Sequence, residues 1–507
     1  MESSIVTSWP AIGTAVAFLL YYVISTFVSW HRLRHFEGPF IASVSYLWLA
    51  WTNLTGSAWK VHTRVRQRYR GSLIRIGPNL LMTDDPDTIR RMSSARSRYG
   101  RGGWYEAFRI DSANPSMFGT CDTQWHDEIK AKASFGYSGR EIPTLERDVD
   151  GQIANLKKYI RTRYLSGPAG TKPMDFASAS QYFALDTIST VAFGKEFGFL
   201  EADADIHGYV HAMDIFSPAA TLISDVPWIR SLFLNNWLFS LIGPKHTDEK
   251  GPGKILGLAK EAVDRRFESG LKEKQDMLGS FLRHGITRHQ CEAEGTLQII
   301  AGTDMTSNVI RTTMLFAASS PKVYRRLQEE IDSAIASGRA SNPVTYAEAK
   351  ALPYLMAVIY EGIRIHPPNF SLLNKRVPPE GDTIDGKFVP GGTEIAQNLW
   401  SILRREAIFG KDVDVFRPER YLESGDAAKK SEMERTTELQ FGYGRWMCAG
   451  KHIAFLEITK VIFELFRDFD FQVINVTQPW SAKQYSVFII KEMMMRVTER
   501  EGAGKAK

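Results

Sequence analysis

"FGYGRWMCAG", residues 441–450, sets one cysteine, Cys448, among three glycines and three aromatic side chains. Gly442, Gly444 and Gly450 permit positive φ and a close approach to the backbone. The next stretch, "AGKHIAFLEITKVIFELF" (449–466), has helical periodicity, so the positive end of a helix lies beside Cys448. Amide N–H groups in such a turn can point at sulfur, and Phe441 can cover it. A thiolate ligand to an iron macrocycle needs these things: it must stay deprotonated, be shielded from water, and let a flat ring reach its backbone. Taken alone, the turn is better described as a buried structural cysteine before a helix. A zinc site on Cys448 and His452 lacks a second ligand pair at a convincing spacing.

Working outward, the chain of 507 residues is 44% hydrophobic and 24% charged, a globular composition. Its net charge of +6 comes from 63 basic and 57 acidic residues with no dense Lys/Arg stretch. That argues against nucleic acid as a partner and allows a local basic docking face. Cys121, Cys291 and Cys448 are odd in number and far apart, which excludes a disulfide framework and favours a reducing compartment.

Residues 11–30, "AIGTAVAFLLYYVISTFVSW", carry no charge and match the length of a bilayer-spanning helix. "HRLRH" follows and only Glu2 precedes, so the positive-inside rule places the N-terminus in the lumen and the rest in the cytosol. A cleaved signal peptide fits less well, because the run is long and ends in bulky residues. The expectation is a membrane anchor over 1–30, with its helix at about 11–30, and one catalytic domain over 31–507. "EGPF" (37–40) separates them. The sequons at Asn53 and Asn475 then stay unmodified.

Residues 60–70 and 86–99 read as helices, and "SLIRIGPNLLMT" (72–83) as two strands about a Gly-Pro turn. Helical patterns dominate from about 140 to 375. "EKGPGK" (249–254) lacks the spacing of a phosphate loop and reads as a surface loop. Residues 376–397 alternate β-type residues with Pro and Gly turns, and 423–438 are polar. The fold class is mainly α with a small β portion.

The cysteine turn resembles the haem-binding signature of the cytochrome P450 monooxygenases: Phe, two residues, Gly, three residues, Cys, one residue, Gly. "EGIR" (361–364) resembles the family's Glu-x-x-Arg helix and "FRPERYL" (416–422) its Pro-Glu-Arg element. The resemblance runs from about residue 35 to the C-terminus and is nearest in tone to fungal members related to pisatin demethylase. It implies the P450 fold behind an N-terminal transmembrane helix, haem b, and Cys448 as the iron ligand. Phe441, Gly444 and Gly450 would frame the haem. Glu361, Arg364 and Arg420 would form a buried charge triad, costly unless all three partners are present. The family usually carries Arg or His two residues before the cysteine, against a haem propionate. Here that residue is Trp446, with Arg445 before it, which leaves Lys130 and Arg376 as the other clamps.

"LQIIAGTDMTSNVI" (297–310) resembles the helix that crosses the oxygen side of the haem. Gly302, which costs about 1 kcal/mol in a helix interior, is read as room for dioxygen rather than as tight packing. Asp304 is the expected proton donor. The family's relay Thr is replaced by Met305. Thr306 follows, but a turn of about 100° per residue directs its hydroxyl elsewhere. Trp104, Tyr105, Phe108, Ile300, Ala301, Phe370 and Phe488 are the expected pocket walls.

The resemblance further implies an NADPH-dependent reductase as electron donor, docking near Lys132, Arg445 and Lys451, with cytochrome b5 as a second donor. It implies a bulky hydrophobic substrate, a fungal secondary-metabolite intermediate that is hydroxylated, desaturated or oxidatively coupled. Membrane lipid is the remaining partner, and the location is the endoplasmic reticulum membrane, single-pass, with a cytosolic catalytic domain. A same-fold haem isomerase or dehydratase that uses no reductase is the first alternative. A haem-binding electron carrier is the second.

Overall fold

A computed structural model of the chain describes residues 8–109, 115–168, 170–268, 274–423 and 425–500. Its axis is the helix Arg288–Ala318, 31 residues long, opened by a capping box in which Thr287 and Gln290 satisfy each other's backbone amides. The almost wholly buried helix Phe176–Phe193 packs along it, with Gly251–Glu268, Pro353–Ile365 and Lys451–Asp468 around it. Leu185, Val191, Ile299, Ile310, Val358 and Ile462 are fully or nearly fully buried and belong to the core that joins these helices.

The β portion is a five-stranded sheet in the order Ile74–Gly77, Leu80–Thr83, Glu394–Gln397, Lys375–Arg376, Gly100–Arg101, with two hairpins and one three-stranded sheet. Leu80–Thr83 runs parallel to Glu394–Gln397; the other pairs of the large sheet are antiparallel. At its end, Arg101 stands opposite Lys375 and Gly100 opposite Arg376. The two strands expected over 72–83 are present, bulged between Arg75 and Gly77. The polar stretch after 423 contains a helix, Ala427–Thr437. "EKGPGK" is not loop throughout: the helix Gly251–Glu268 starts inside it, with Pro252 in its first turn, where no amide is missed.

A helix forms over Ser8–Arg32, where the anchor was expected. Among the described residues no helix is long and apolar enough to cross a membrane. What is present is an apolar helix with Leu20, Tyr21, Ile24 and Phe27 exposed. Its end is fixed to the sheet: buried Arg75 donates to the carbonyls of Ser29 (2.8 Å) and Trp30 (3.0 Å), which would otherwise lack partners. Asn53 is buried and donates through Nδ2 to Asp225 Oδ2 at 2.6 Å, whereas Asn475 is exposed.

Candidate active site

Cys448 opens onto a cavity of about 990 Å3 that runs between the cysteine turn and the long helix. The turn is built by hydrogen bonds and by glycines that nothing else can replace. The Cys448 amide donates to Phe441 O at 2.7 Å. Gly442 (φ +74°) and Gly444 (φ +56°) take left-handed backbone, and a Cβ on Gly444 would strike the Ser93 carbonyl. Gly450 differs. A Cβ there would meet only Cys448 Sγ, at 4.0 Å, so glycine keeps the face beside the sulfur clear. The helix Lys451–Asp468 starts here. Cys448 is exposed, but onto the cavity it lines, deep within protein. Burial pushes its thiol pKa up, while the amides of Gly450 and Lys451 and the Lys130 ammonium pull it down. Phe441 lines the cavity and packs on Phe455, ring centres 5.2 Å apart.

Basic side chains gather at one end. Lys130 donates to the carbonyls of Arg445 (2.6 Å) and Met447 (2.7 Å), tying the helix Thr123–Tyr137 to the turn. Arg101 and Lys375 both lie over the Trp446 ring, each charged group 4.6 Å from its centre. Both cations are buried. Arg101 Nη1 is spent on the carbonyls of Met117, Phe118 and Thr120, while its Nε has no hydrogen-bond partner. Among the described residues Lys375 Nζ reaches the Tyr105 hydroxyl alone, at 3.5 Å. Burial, then Arg101, holds the Lys375 ammonium well below the ordinary lysine range.

Two expected clamps are corrected. Arg376 is exposed and pairs with Glu394 at 3.5 Å. In a strand consecutive side chains face opposite ways, so Lys375, not Arg376, turns inward. Arg445 reaches outward to Asp127 (3.3 Å) and Ala95 O (2.9 Å), and only its carbonyl serves the turn. Arg101 and Lys375 were missed because nothing in a linear motif shows which residues face each other across a sheet.

The long helix lines the opposite wall with Ile300, Ala301, Gly302, Asp304, Met305, Thr306 and Val309. Its α-helical hydrogen bonding continues through this stretch. The cavity wraps a wide arc of it, so Met305 and Thr306 both reach the lining, contrary to the expectation for Thr306. Gly302 is also corrected. A Cβ there would come within 2.7 Å of Ile188 on the helix Phe176–Phe193, so close helix packing already requires glycine. Asp304 is not free. It accepts from Gln181 Nε2 at 2.9 Å and from the Tyr209 hydroxyl at 3.1 Å, and Gln181 in turn accepts from buried Arg311 at 3.2 Å. Burial raises its carboxyl to about 6. The Thr303 hydroxyl donates to Ile299 O at 2.6 Å.

Trp104, Tyr105 and Phe108 line the cavity as expected. Trp104 Nε1 donates to Asp225 at 2.7 Å, the carboxylate that also holds Asn53. Phe370 and Phe488 do not line it: Phe370 packs on His62 (5.7 Å) and Phe488 on His366 (4.0 Å). Their neighbours Asn369 and Ser371, one on each side of Phe370, and Ser486 and Val487, just before Phe488, take the wall. Glu457, nine residues after Cys448, was missed. It lines the cavity, is buried, has no partner for Oε1, and is held by burial well above the ordinary carboxylate range.

Behind the turn, Glu361, Arg364 and Arg420 are buried together. Arg364 grips Glu361 through two bonds (2.7 and 2.8 Å) and Arg420 Nε reaches it at 3.0 Å. The remaining guanidinium N–H groups go to the carbonyls of Leu403, Phe409, Val413 and Val415 and to Asp412. Each partner is satisfied, the condition under which buried charge is tolerated.

A family model for cytochrome P450 matches residues 49–497. The chain belongs to the cytochrome P450 family. It is 44% identical over 507 residues to the cytochrome P450 monooxygenase ABA1 of Pyricularia oryzae, covering 99% of both chains. It is 41% identical to the cytochrome P450 monooxygenase aba1 of Botryotinia fuckeliana, covering 93% of this chain and 92% of that one. It is 40% identical to the cytochrome P450 monooxygenase abl1 of Leptosphaeria maculans, covering 97% and 89%. As a cytochrome P450 this chain is a haem b monooxygenase that acts on a small molecule and draws electrons from NADPH through a reductase. The site fits that cofactor: a cysteine faces open space that Gly450 keeps clear, and buried cations without carboxylate partners suit haem's two acidic arms.

Proposed function

We propose that this P450 oxidises a bulky hydrophobic small molecule, an intermediate of fungal secondary metabolism, by hydroxylation, desaturation or oxidative coupling. One observation carries the reading: Cys448 opens onto a large cavity walled by Trp104, Tyr105, Phe108, Ile300 and Val309. The fungal relatives named above support it.

In this reading Cys448 is the iron ligand, held as thiolate by the bound iron against the burial that raises its pKa, with help from the Gly450 and Lys451 amides. Lys130, Arg101 and Lys375 hold the haem carboxylates, and the Glu361 triad holds the turn. Haem, when bound, supplies the iron that activates dioxygen, with electron density from the thiolate favouring O–O cleavage. Protons reach the oxygen side through Thr306 and ordered water, because the Asp304 carboxyl is engaged by Gln181 and Tyr209. The reductase docks beside Lys132, with cytochrome b5 on the same face; Arg445 and Lys451 there are paired with Asp127 and Glu438.

The protein sits on the endoplasmic reticulum membrane with its catalytic domain in the cytosol. Two features support attachment. The first is the uncharged stretch 11–30 with its exposed apolar side chains. The second is the helix Leu47–Leu54, which exposes Leu47, Trp51 and Leu54 at one-face spacing.

Cys448→Ser tests the core of the reading. It abolishes the carbon-monoxide absorbance band typical of thiolate-bound haem; a surviving band overturns the assignment. Product masses, with the protein and a reductase expressed in a host fed extracts of the source fungus, identify the substrate.

A further inference from the structure

Trp446 stands where the family places a charged residue against a haem propionate. Its surroundings indicate what it does instead. Arg101 and Lys375 lie one on each side of the cross-strand register, directly opposite each other, and both contact the indole at 4.6 Å. Like charges directly opposite in a ladder oppose pairing, and burying them without an anion costs more still. Among the described residues neither cation has a carboxylate within ion-pair distance. The neighbours are Tyr105, over whose ring Arg101 lies at 4.4 Å and Lys375 at 5.3 Å, and His126, whose ring is 4.5 Å from that of Trp446. Burial holds His126 near pKa 4, so it adds no charge at neutral pH. The arrangement is therefore a pair of buried basic groups held by aromatic faces, with no direct carboxylate partner among the described residues; the Glu294 carboxylate acts on Arg101 only from beyond ion-pair distance. Indole is the strongest cation-binding ring among the side chains.

We propose that Trp446 is a positioning residue: its indole fixes Arg101 and Lys375 as a two-pronged receptor for the haem carboxylates, so that the strands supply the charge the family takes from this position. This rests on the haem reading above. It predicts that restoring the family's residue harms the site, because an arginine at 446 adds a third cation beside two that already repel.

The test uses the holoprotein of Trp446→Leu, Trp446→Phe, Trp446→Arg, Lys375→Met and the double variant Trp446→Leu/Lys375→Met. The readouts are the rate of haem transfer to excess apomyoglobin and the haem reduction potential. Trp446→Leu speeds transfer at least tenfold, Trp446→Phe less, and Trp446→Arg speeds it too. Lys375→Met acts in the same direction, and the double variant is no worse than the faster single one, because the two residues act through one contact. The potential falls in Trp446→Leu and Lys375→Met alike, since a cation near the haem favours the electron-rich form; loss of packing alone does not predict that pairing. Multiplying effects in the double variant, an unchanged rate in Trp446→Leu, or tighter haem in Trp446→Arg overturns the proposal. If Trp446→Leu does not fold, the Phe and Arg variants decide it by the same rates. A wild-type protein without the thiolate–carbon-monoxide band defeats the haem reading itself, which separates the two failures.

Discussion

Tyr209 donates its hydroxyl to Asp304 across 3.1 Å, from the first residue of the helix Tyr209–Asp225 to the middle of the long helix. Gln181 closes the other carboxylate oxygen. The acid is thus part of a buried strut between three helices as well as a neighbour of the oxygen side.

Its titration gives a first prediction. Burial raises the Asp304 carboxyl from 3.8 to about 6 in the folded protein. A raised carboxyl binds its proton more tightly folded than unfolded, so its contribution is full below pH 4 and is lost as pH rises through 6. Asp304→Asn cannot ionise and keeps an oxygen for Gln181. In urea unfolding of the holoprotein, this variant gains on wild type by up to about 3 kcal/mol between pH 4 and pH 7. A gap that does not change with pH counts against a buried, proton-holding Asp304.

A second prediction concerns Met305. Met305→Thr restores the family's hydroxyl but removes apolar contact with substrate, worth on the order of 1 kcal/mol or more. It lowers product yield or redirects the product. Parallel assays of NADPH consumed, peroxide released and product formed check this. Unchanged products with better coupling of NADPH to product show that Met305 has no part in shaping the pocket. Full activity with NADPH omitted promotes the isomerase alternative.

Gly302 meets Ile188 before it meets anything in the cavity. Overpacking costs about 1–3 kcal/mol in Gly302→Ala, and the roughly 1 kcal/mol that alanine gains in a helix reduces the net loss to about 0–2 kcal/mol. Shortening its neighbour in Gly302→Ala/Ile188→Val relieves the clash, so the double variant loses less melting temperature than the two single losses added together. Added peroxide leak without loss of stability is the opposite result and returns Gly302 to an oxygen-side role.

Removing one member of the Glu361 triad strands the other charges. Arg364→Ala or Arg420→Ala costs about 3–5 kcal/mol, and the yield of haem-loaded protein collapses. Arg364→Lys, which cannot reproduce the two-bond grip, is also impaired. Near-normal unfolding midpoints for all three show the triad to be dispensable.

The cysteine turn and the triad were legible through the family resemblance that their motifs carry; taken alone, Glu361 and Arg364 read as a surface pair. Strand parity was not. Whether Lys375 or Arg376 faces in, and whether Phe370 or Ser371 meets the cavity, depends on a register set by residues hundreds of positions away. Gly302 was misread for a related reason: the atom that forbids a side chain there belongs to Ile188, on another helix. Trp446 was noticed as a departure, yet its meaning lies in Arg101, which no motif near the cysteine contains.

The strand that carries Arg101 runs directly into the turn Gly103–Phe108, whose Trp104, Tyr105 and Phe108 form a wall of the cavity. An anion that quiets the repulsion between Arg101 and Lys375 steadies this strand, and with it the wall. Occupancy at the charged end and occupancy at the apolar end then share one free energy, and thermodynamic linkage makes the effect mutual. A tight-binding substrate raises the affinity for haem by the same factor by which haem improves grip on the substrate.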